Sequence, residues 1–195
     1  RYSARSWEMV QHATIAAHDC VGSNLYAHVL RGKIKRIVPR ENESINETWI
    51  SDRDRFSYEG VYSENRLATP MRKKADQWET ISWEEALLEV VEKIKLAKPA
   101  ATAFLASPSS TIEECYLLSK LAVERGINSL DHRLRVKDFT DQANDPKEPL
   151  LGIEIAAIEQ CDQIILIGSD IRREAPILGH RVRKAALSGA NISII

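Results

Sequence analysis

Cysteine is scarce in this sequence of 195 residues, which contains only Cys20, Cys115 and Cys161. An odd number of widely spaced cysteines fits a reducing compartment better than a disulfide framework. Long apolar runs are missing as well, because eighteen uncharged apolar residues never occur together. Their absence excludes a transmembrane helix, and we expect no direct insertion into a membrane.

An excess of charge of either sign is also missing. The 27 basic and 28 acidic residues leave a formal net charge of −1, so nothing general attracts the chain to nucleic acid or to an anionic membrane. Hydrophobic residues make up 44%, which is typical of a globular protein with a real core. The sequence begins at Arg1 without a methionine and stops inside an apolar run, so we interpret it as a piece of a longer polypeptide.

Residues 1–66 carry no long helical period, which predicts a small β-rich domain. Two short β-rich runs, 25–30 and 33–38, are separated by Arg-Gly at 31–32, the residue types of a two-residue turn. Pro39 should end the second strand, because proline has no N–H to donate to a ladder.

The polar segment 41–54 is predicted to be a loop, held down by Ile45, Trp49 and Ile50. It has two interpretations that the residues leave open. It is either a loop that lies over a cofactor or partner, or an ordinary surface crossover anchored by Trp49.

From residue 67 to 195 the pattern changes to α/β. Ser82 and Glu85 form a predicted capping box, and the helix they start is bounded by Pro99. A short apolar strand is predicted over 101–106.

A second helix is predicted to be capped by 110–113 (Ser-Thr-Ile-Glu) and to end at Gly126. The weakly patterned stretch 127–151 is typical of a functional loop or an interface.

The C-terminal part contains the strongest pattern. A continuously apolar strand over 163–168, of the kind covered on both faces, precedes a helix over 173–188 and a strand over 191–195. This order predicts a parallel βαβ unit. The predicted buried face of its helix consists of Ala175, Leu178, Val182 and Leu187.

One loop has an iron–sulfur-like arrangement, since 18–24 (His-Asp-Cys-Val-Gly-Ser-Asn) places Cys20 where such loops place a ligand. A four-iron cluster needs about four thiolates, three closely spaced and one distant. The positions three before and four after Cys20 are Ala17 and Asn24, and the distant position offers only 51–52 (Ser-Asp). One ligand in four cannot hold a cluster, so no metal is expected and Cys20 is interpreted as a lone remnant.

A second candidate site follows the predicted strand over 163–168, where open α/β sheets bind ligands. Free N–H groups and two arginines of 168–173 (Gly-Ser-Asp-Ile-Arg-Arg) could receive a phosphate. The single glycine matches no nucleotide-binding motif, so we favour an interpretation in which Glu174 and Arg172 or Arg173 form interface or internal ion pairs. The basic residues of the following helix are interpreted as a solvated or docking face; they are Arg173, Arg181, Arg183 and Lys184.

The sequence predicts no group of catalytic residues. Neither a serine nor a cysteine has a base near it in the sequence. The histidines show no metal-ligand spacing with cysteines; they are His12, His18, His28, His132 and His180.

Several motifs, in order and spacing, carry a resemblance to a known family. They are Arg5-Ser6-Trp7-Glu8, the loop 18–24, the runs 38–52, 55–60, 67–71 and 82–87, Gly168-Ser169-Asp170 and Glu174-Ala175-Pro176. Together they resemble the large iron–sulfur subunits of respiratory complex I and, more distantly, the molybdopterin oxidoreductase superfamily.

This resemblance implies a fold. Residues 1–66 would be the β-rich remnant of a 4Fe-4S, Mo/W bis-MGD-type domain. Residues 67–195 would be the first part of a doubly wound, largely parallel α/β domain like that of molybdopterin oxidoreductases, truncated at its C-terminal end.

The resemblance also bears on cofactors. The family's 2Fe-2S and 4Fe-4S clusters would be bound upstream of residue 1, so none is expected here. Vestigial pterin-loop positions would be Gly168, Ser169, Asp170 and Arg172. Asp170 and Ile171 replace the usual Asn-Pro, and an added carboxylate beside a phosphate site argues against a bound pterin.

The function that the resemblance implies is a non-catalytic scaffold segment. The parent complex would pass electrons from NADH through FMN and iron–sulfur clusters to quinone, coupled to ion translocation. The partners would be other peripheral-arm subunits, on the cytoplasmic side of a bacterial inner membrane or the matrix side in mitochondria. One alternative is a molybdenum- or tungsten-dependent oxidoreductase, such as a formate dehydrogenase relative. Another is an α/β binding module whose Gly168 loop takes a small anion.

Overall fold

A computed structural model of the chain describes residues 4–133, 138, 140, 142–144 and 150–195. The chain forms two compact units. The first unit comprises Arg1–Glu64 and Pro146–Ile195, and the second comprises Asn65–Asp145. The first unit is therefore discontinuous in sequence. The division predicted at residue 66 separates two family domains, which need not coincide with these compact units, and it stays a prediction.

The N-terminal part of the first unit is an antiparallel sheet. Its strands are β1 (Val10–Ile15), β2 (Asn24–Leu30) and β3 (Lys33–Pro39), in the order β1-β2-β3. Arg31 and Gly32 connect β2 to β3 with φ of 51° and 73°, the backbone of the tight hairpin turn that the sequence predicts. Pro39 is the last paired residue of β3.

The core of this sheet consists of buried Ala16, Leu25, Ile37 and Ile50. Ile50 therefore anchors segment 41–54. Trp49, one of the three predicted anchors, is 55% exposed and contributes to the segment's attachment through its ring, which lies 5.1 Å from the ring of His180. The polar side chain of Asn46, 1% exposed, takes the inward position instead. The short helix α1 (Asp52–Phe56) follows, and a 3-10 turn over Ser57–Tyr62 continues from it.

The C-terminal part of the first unit is the predicted βαβ unit. A 3-10 helix over Ile155–Gln160 precedes β8 (Gln163–Leu166), which pairs in parallel with β9 (Asn191–Ile194). The predicted helix over 173–188 is two helices, α4 (Ile171–Glu174) and α5 (Pro176–Leu187). Pro176 accounts for the break, because the residue before a proline is disfavoured in the helical conformation.

The predicted buried faces of this unit need two corrections. Leu187 is 72% exposed, whereas Ile177, Arg181, Val182 and Ala185 are the buried positions of α5. In the parallel pair, Ile164 and Leu166 are half-buried, while Ile165 is 61% exposed. This sheet is therefore covered on one face, and the prediction of cover on both faces is wrong for this chain.

The second unit combines a hairpin with a parallel strand pair. Strands β4 (Met71–Lys74) and β5 (Gln77–Thr80) pair antiparallel, which the sequence analysis did not predict. Helix α2 (Trp83–Leu96), strand β6 (Ala103–Leu105), helix α3 (Ile112–Arg125) and strand β7 (Ser129–Asp131) follow, and β6 pairs in parallel with β7. A β-rich beginning followed by helices and parallel strands confirms the predicted α/β fold class.

The helix caps of the second unit agree only partly with the sequence analysis. Ser82 caps α2 by accepting the Glu85 N–H at 3.1 Å, but the Glu85 carboxylate pairs with Arg72 instead of reaching back. The capping box of α3 joins Thr111 to Glu114, one residue later than predicted. Gly126 ends α3 with φ of 66°, as predicted.

The stretch 127–151 lies partly outside the described residues. Within its described part, β7 and a 3-10 turn over Gln142–Asn144 are regular. The prediction of one irregular stretch is therefore wrong at these two places.

Candidate functional site

The Cys20 loop, residues 17–24, connects β1 to β2 and is shaped by its own aspartate. Asp19 Oδ1 accepts N–H groups from Val21, Gly22 and Ser23 at 3.0–3.3 Å. Gly22 has φ of 70°, a backbone conformation that favours glycine. The loop exposes Cys20, whose thiol is free. The loop is therefore a compact turn that presents a single thiol.

The four positions where a cluster's ligands are expected offer different chemistry. Ala17 has no donor atom in its side chain, and the Asn24 amide donates to the Gly22 carbonyl at 3.3 Å. Ser51 is 6% exposed and caps α1, with its hydroxyl bonded to Asp54 Oδ2 at 2.6 Å. One thiol, one amide and one hydroxyl do not fit an iron–sulfur cluster, which binds thiolates. Among the described residues, no group of three His, Cys, Asp or Glu side chains is placed to hold a metal ion.

A cavity of about 570 Å³ lies beside this loop, inside the first unit. Most of its lining is apolar; the residues are Cys20, Val21, Ser44, Ile45, Leu151, Ile153, Glu154, Ile155 and Leu178. Glu154 is the charged group among them. A wall of this kind can pack apolar groups, but it supplies no set of donors for a metal.

The Gly168 loop, defined as residues 168–174, follows β8 and includes α4, and most of its polar side chains bond to one another. The Gly168 N–H donates to the Ile195 carbonyl at 2.9 Å, so this donor is not available to a ligand. Ser169 Oγ donates to Glu174 Oε2 at 2.7 Å, and Arg173 Nε lies 3.5 Å from Asp170 Oδ2. Arg173 therefore pairs with Asp170, whereas the sequence analysis favoured Glu174 as the acidic partner.

The charge distribution of this loop is unfavourable for a phosphate. Two carboxylates, Asp170 and Glu174, are bonded within the loop, and one of the two arginines is already paired. Arg172 is exposed. Like charges repel an anion at this range, so the loop offers a poor place for a pterin dinucleotide.

Among the described residues of the first unit, the most connected group of charges was not predicted. It is the Arg181 cluster, defined as Glu47, Glu159, His180, Arg181 and Lys184. Arg181 is 3% exposed and bonds to both carboxylates, with Glu47 Oε1 at 3.0 Å. It also donates to the carbonyls of Glu43 and Ile45, at 2.6 and 3.1 Å. The cluster thereby fastens segment 41–50 to α5.

The Arg181 cluster perturbs the titration of its members. The pKa of Glu47 is lowered, chiefly by the hydrogen bond from Lys184, which together with His180 and Arg181 outweighs the effect of burial. Burial raises the pKa of Glu159, but the hydrogen bonds from Lys184 and Arg181 outweigh it and lower that pKa as well. The same bonds to Glu159 and Glu47 raise the pKa of Lys184. All three groups are therefore held in their charged forms.

The interpretation of 173–184 as a solvated or docking face is wrong at Arg181. A signal was present in the sequence, since positions 177, 181 and 185 recur every four residues on one helix face. An arginine on that face lies between the apolar residues Ile177 and Ala185, which favours burial, and a buried guanidinium needs acidic partners.

The second unit has its own apolar cavity, of about 470 Å³. It is lined by Leu67, Ala68, Thr69, Pro70, Met71, Trp78 and Trp83. Both tryptophans are well exposed, at 64% and 69%. Near this cavity Arg72 bonds to Glu79 at 2.5 Å and to Glu89 at 3.3 Å, which ties the hairpin to α2.

Comparisons with known proteins agree with this architecture. Residues 66–195, well over half of the chain, match the family model described as "Molybdopterin oxidoreductase". The chain belongs to the molybdopterin oxidoreductase family. Residues 10–59 match a second model, "NADH-ubiquinone oxidoreductase NDSU1/NuoG-like, 4Fe-4S domain".

Individual relatives are more specific. The chain is 36% identical over 200 residues to the G subunit of the NADH-quinone oxidoreductase of Rickettsia felis, covering 98% of this chain and 29% of that protein. It is 32% identical to the NADH-ubiquinone oxidoreductase 75 kDa subunit of Reclinomonas americana, and the match covers 96% of this chain and 29% of that protein. The mitochondrial NADH-ubiquinone oxidoreductase 78 kDa subunit of Candida albicans is also 32% identical, and the match covers 95% of this chain and 26% of that protein. The resemblance that the motifs predicted is confirmed, and the chain spans less than a third of these relatives.

Proposed function

We propose that the chain is a structural and docking segment of the large iron–sulfur subunit of respiratory complex I. Its similarity to the Rickettsia felis protein runs over nearly its whole length, through both family matches. The parent complex would transfer electrons from NADH through FMN and iron–sulfur clusters to quinone, coupled to ion translocation. This segment would support that chemistry without taking part in it.

The observation that carries the docking role is the exposed area of the chain, 15654 Å². A single folded protein of 22.0 kDa exposes about 9,300 Å². Two separate domains that share this mass equally would expose about 11,200 Å². The excess over the larger figure is about 4,400 Å², several times the roughly 800 Å² that one partner contributes to a standard interface.

Several large apolar side chains are exposed on or beside regular elements. On α2, Leu87 is 58% exposed, Leu88 61% and Val91 45%. On the uncovered face of the β8–β9 pair Ile165 is 61% exposed, and Ile167, directly after β8, is 73% exposed. Large exposed apolar patches mark sites of association. These faces would be covered by the remainder of the subunit and by neighbouring peripheral-arm subunits.

We further propose that the segment binds no cofactor of its own, although the match of residues 10–59 to a 4Fe-4S domain implies iron–sulfur binding in that family. The donor set around Cys20 does not fit a cluster, and the carboxylates of the Gly168 loop do not fit a pterin phosphate. The 2Fe-2S and 4Fe-4S clusters would be held elsewhere in the longer subunit. The same two arguments disfavour a molybdenum- or tungsten-dependent oxidoreductase. Residues 1–66 and 67–195 would be the two family domains represented here.

The location of the segment would follow from its complex: the cytoplasmic side of a bacterial inner membrane, or the matrix side in a mitochondrion. In the described part of the chain, no helix is long and apolar enough to cross a membrane.

The docking role is tested with charge substitutions on exposed apolar positions of the full-length subunit. Leu88→Lys is matched by Leu88→Met, and Ile165→Lys is matched by Ile165→Val, because these controls keep an apolar side chain at the same position. We expect the two lysine variants to lower the amount of assembled, membrane-bound NADH:quinone oxidoreductase at least several-fold on native gels. Their controls should assemble normally. Normal assembly of all four variants would contradict the proposal.

A further inference from the structure

Two hydrogen-bonded groups connect the Cys20 loop to later residues, and together we call them the network. One group joins Asp54 to Ser51 and to the backbone N–H of His18, and the other joins Asn46 to Asn24. The network includes two of the four expected ligand positions directly, Asn24 and Ser51. It also includes His18, which lies between the other two.

Asp54 joins the Cys20 loop to α1. Its carboxylate is 4% exposed and accepts the His18 N–H on Oδ1 at 3.2 Å. Its Oδ2 accepts the Ser51 hydroxyl at 2.6 Å, while Ser51 Oγ accepts the Asp54 N–H at 3.0 Å. A buried carboxylate is costly unless its oxygens are bonded, and both oxygens of Asp54 are bonded here.

Asn46 makes the second connection. Its Oδ1 accepts the Asn24 N–H at 2.9 Å, and its Nδ2 donates to the Asn24 carbonyl at 3.3 Å. The same Nδ2 lies 3.2 Å from the Arg40 carbonyl and 3.0 Å from the Trp49 carbonyl. One side chain thus ties the end of the Cys20 loop to the segment after β3.

A metal cluster of this kind would connect three nearby positions in the loop to one distant position. The network makes the same connection with side chains: residues 18 and 24 on one side, and residues 46 and 54 on the other. We propose that Asp54 and Asn46 cross-link the Cys20 loop in the place of a cluster, so that residues 10–59 keep their fold without iron. This inference rests on the proposed absence of a cluster.

The cross-link is a positioning role, and its test is amide hydrogen exchange in the full-length subunit within its complex. Asp54→Ala removes the acceptor of the His18 N–H and of the Ser51 hydroxyl. We expect amides of the Cys20 loop to exchange about tenfold to 100-fold faster, because buried donors are left unpaired. Asp52→Ala is the matched control, since exposed Asp52 places the same charge in the first turn of α1. It should leave exchange of the loop unchanged.

A third variant separates this inference from the proposal on which it rests. Cys20→Ala should leave exchange of the loop within twofold of the original protein, because the Cys20 thiol is free and exposed. Faster exchange in Cys20→Ala would show that the loop depends on a cysteine-bound group, and the proposed absence of a cluster would be wrong. Unchanged exchange in both Cys20→Ala and Asp54→Ala would overturn only the cross-link. If Asp54→Ala does not accumulate, Asp54→Asn retains one carbonyl acceptor and should give a smaller acceleration in the same loop.

Discussion

Replacing Arg181 with methionine should destabilise the first unit more than any other single change in α5. Methionine keeps much of the length of the side chain and removes its charge and its donors. Two carboxylates, Glu47 and Glu159, would lose a cation, and the carbonyls of Glu43 and Ile45 would lose their donors. Segment 41–50 would then be held to α5 mainly by Lys184 and His180.

The magnitude follows from the burial of Arg181, which is 3% exposed. Removing one partner of a buried ion pair costs about 3–5 kcal/mol. Lys184 still bonds to both carboxylates, at 2.5 and 2.7 Å, so we expect the lower end of that range. A loss of about 3 kcal/mol corresponds to a fall in Tm of roughly 6–12 °C for a chain of this size.

Thermal unfolding of the variant would be monitored by circular dichroism, and Arg183→Met would be the control. Arg183 is exposed on the same helix, and its replacement should change the free energy of unfolding by no more than about 0.5 kcal/mol. Faster amide hydrogen exchange of residues 41–50 in Arg181→Met would show that this segment is the part that is loosened. Equal melting of the two variants would refute the assignment of the Arg181 cluster as the fastening of that segment.

Two further predictions concern acid stability and helix capping. Because the pKa values of Glu47 and Glu159 are lowered on folding, their contribution is complete above the ordinary value of 4.5 and is lost as the pH falls through the lowered values. Unfolding midpoints measured from pH 6 to pH 3 should therefore fall less steeply in Glu47→Gln than in the original chain, and identical slopes would contradict this. Thr111→Ala should lower the free energy of unfolding in urea by about 1 kcal/mol, and Ser110→Ala should lower it much less. The reverse order would mean that Ser110 is the N-cap, as the sequence analysis predicted.

Local features of the fold could be predicted because their causes are local. The Arg31-Gly32 turn needs two positive φ angles, Gly126 ends a helix for the same reason, and Pro39 ends a strand through its missing N–H. The cap of α3 was displaced by one residue because Ser110 and Thr111 are both good capping residues and are both followed three positions later by a glutamate.

The rest depends on contacts between distant parts of the chain. Glu47 and Arg181 are far apart in sequence, so neither residue indicates its partner, and an arginine in a basic helix is most simply interpreted as exposed. The burial of Asp54 depends on the Cys20 loop in the same way. The discontinuous first unit could not be predicted either, because composition does not show that residues 146–195 pack with residues 1–64.

The central claim is that this chain is a cofactor-free structural segment of a complex I subunit, and metal analysis of the parent complex tests it most directly. The complex would be isolated natively through a tag on the full-length polypeptide, and its flavin, iron, molybdenum and tungsten contents measured. We predict flavin and iron with neither molybdenum nor tungsten. Stoichiometric molybdenum or tungsten would mean that the Gly168 loop still serves a pterin cofactor, and it would contradict the account.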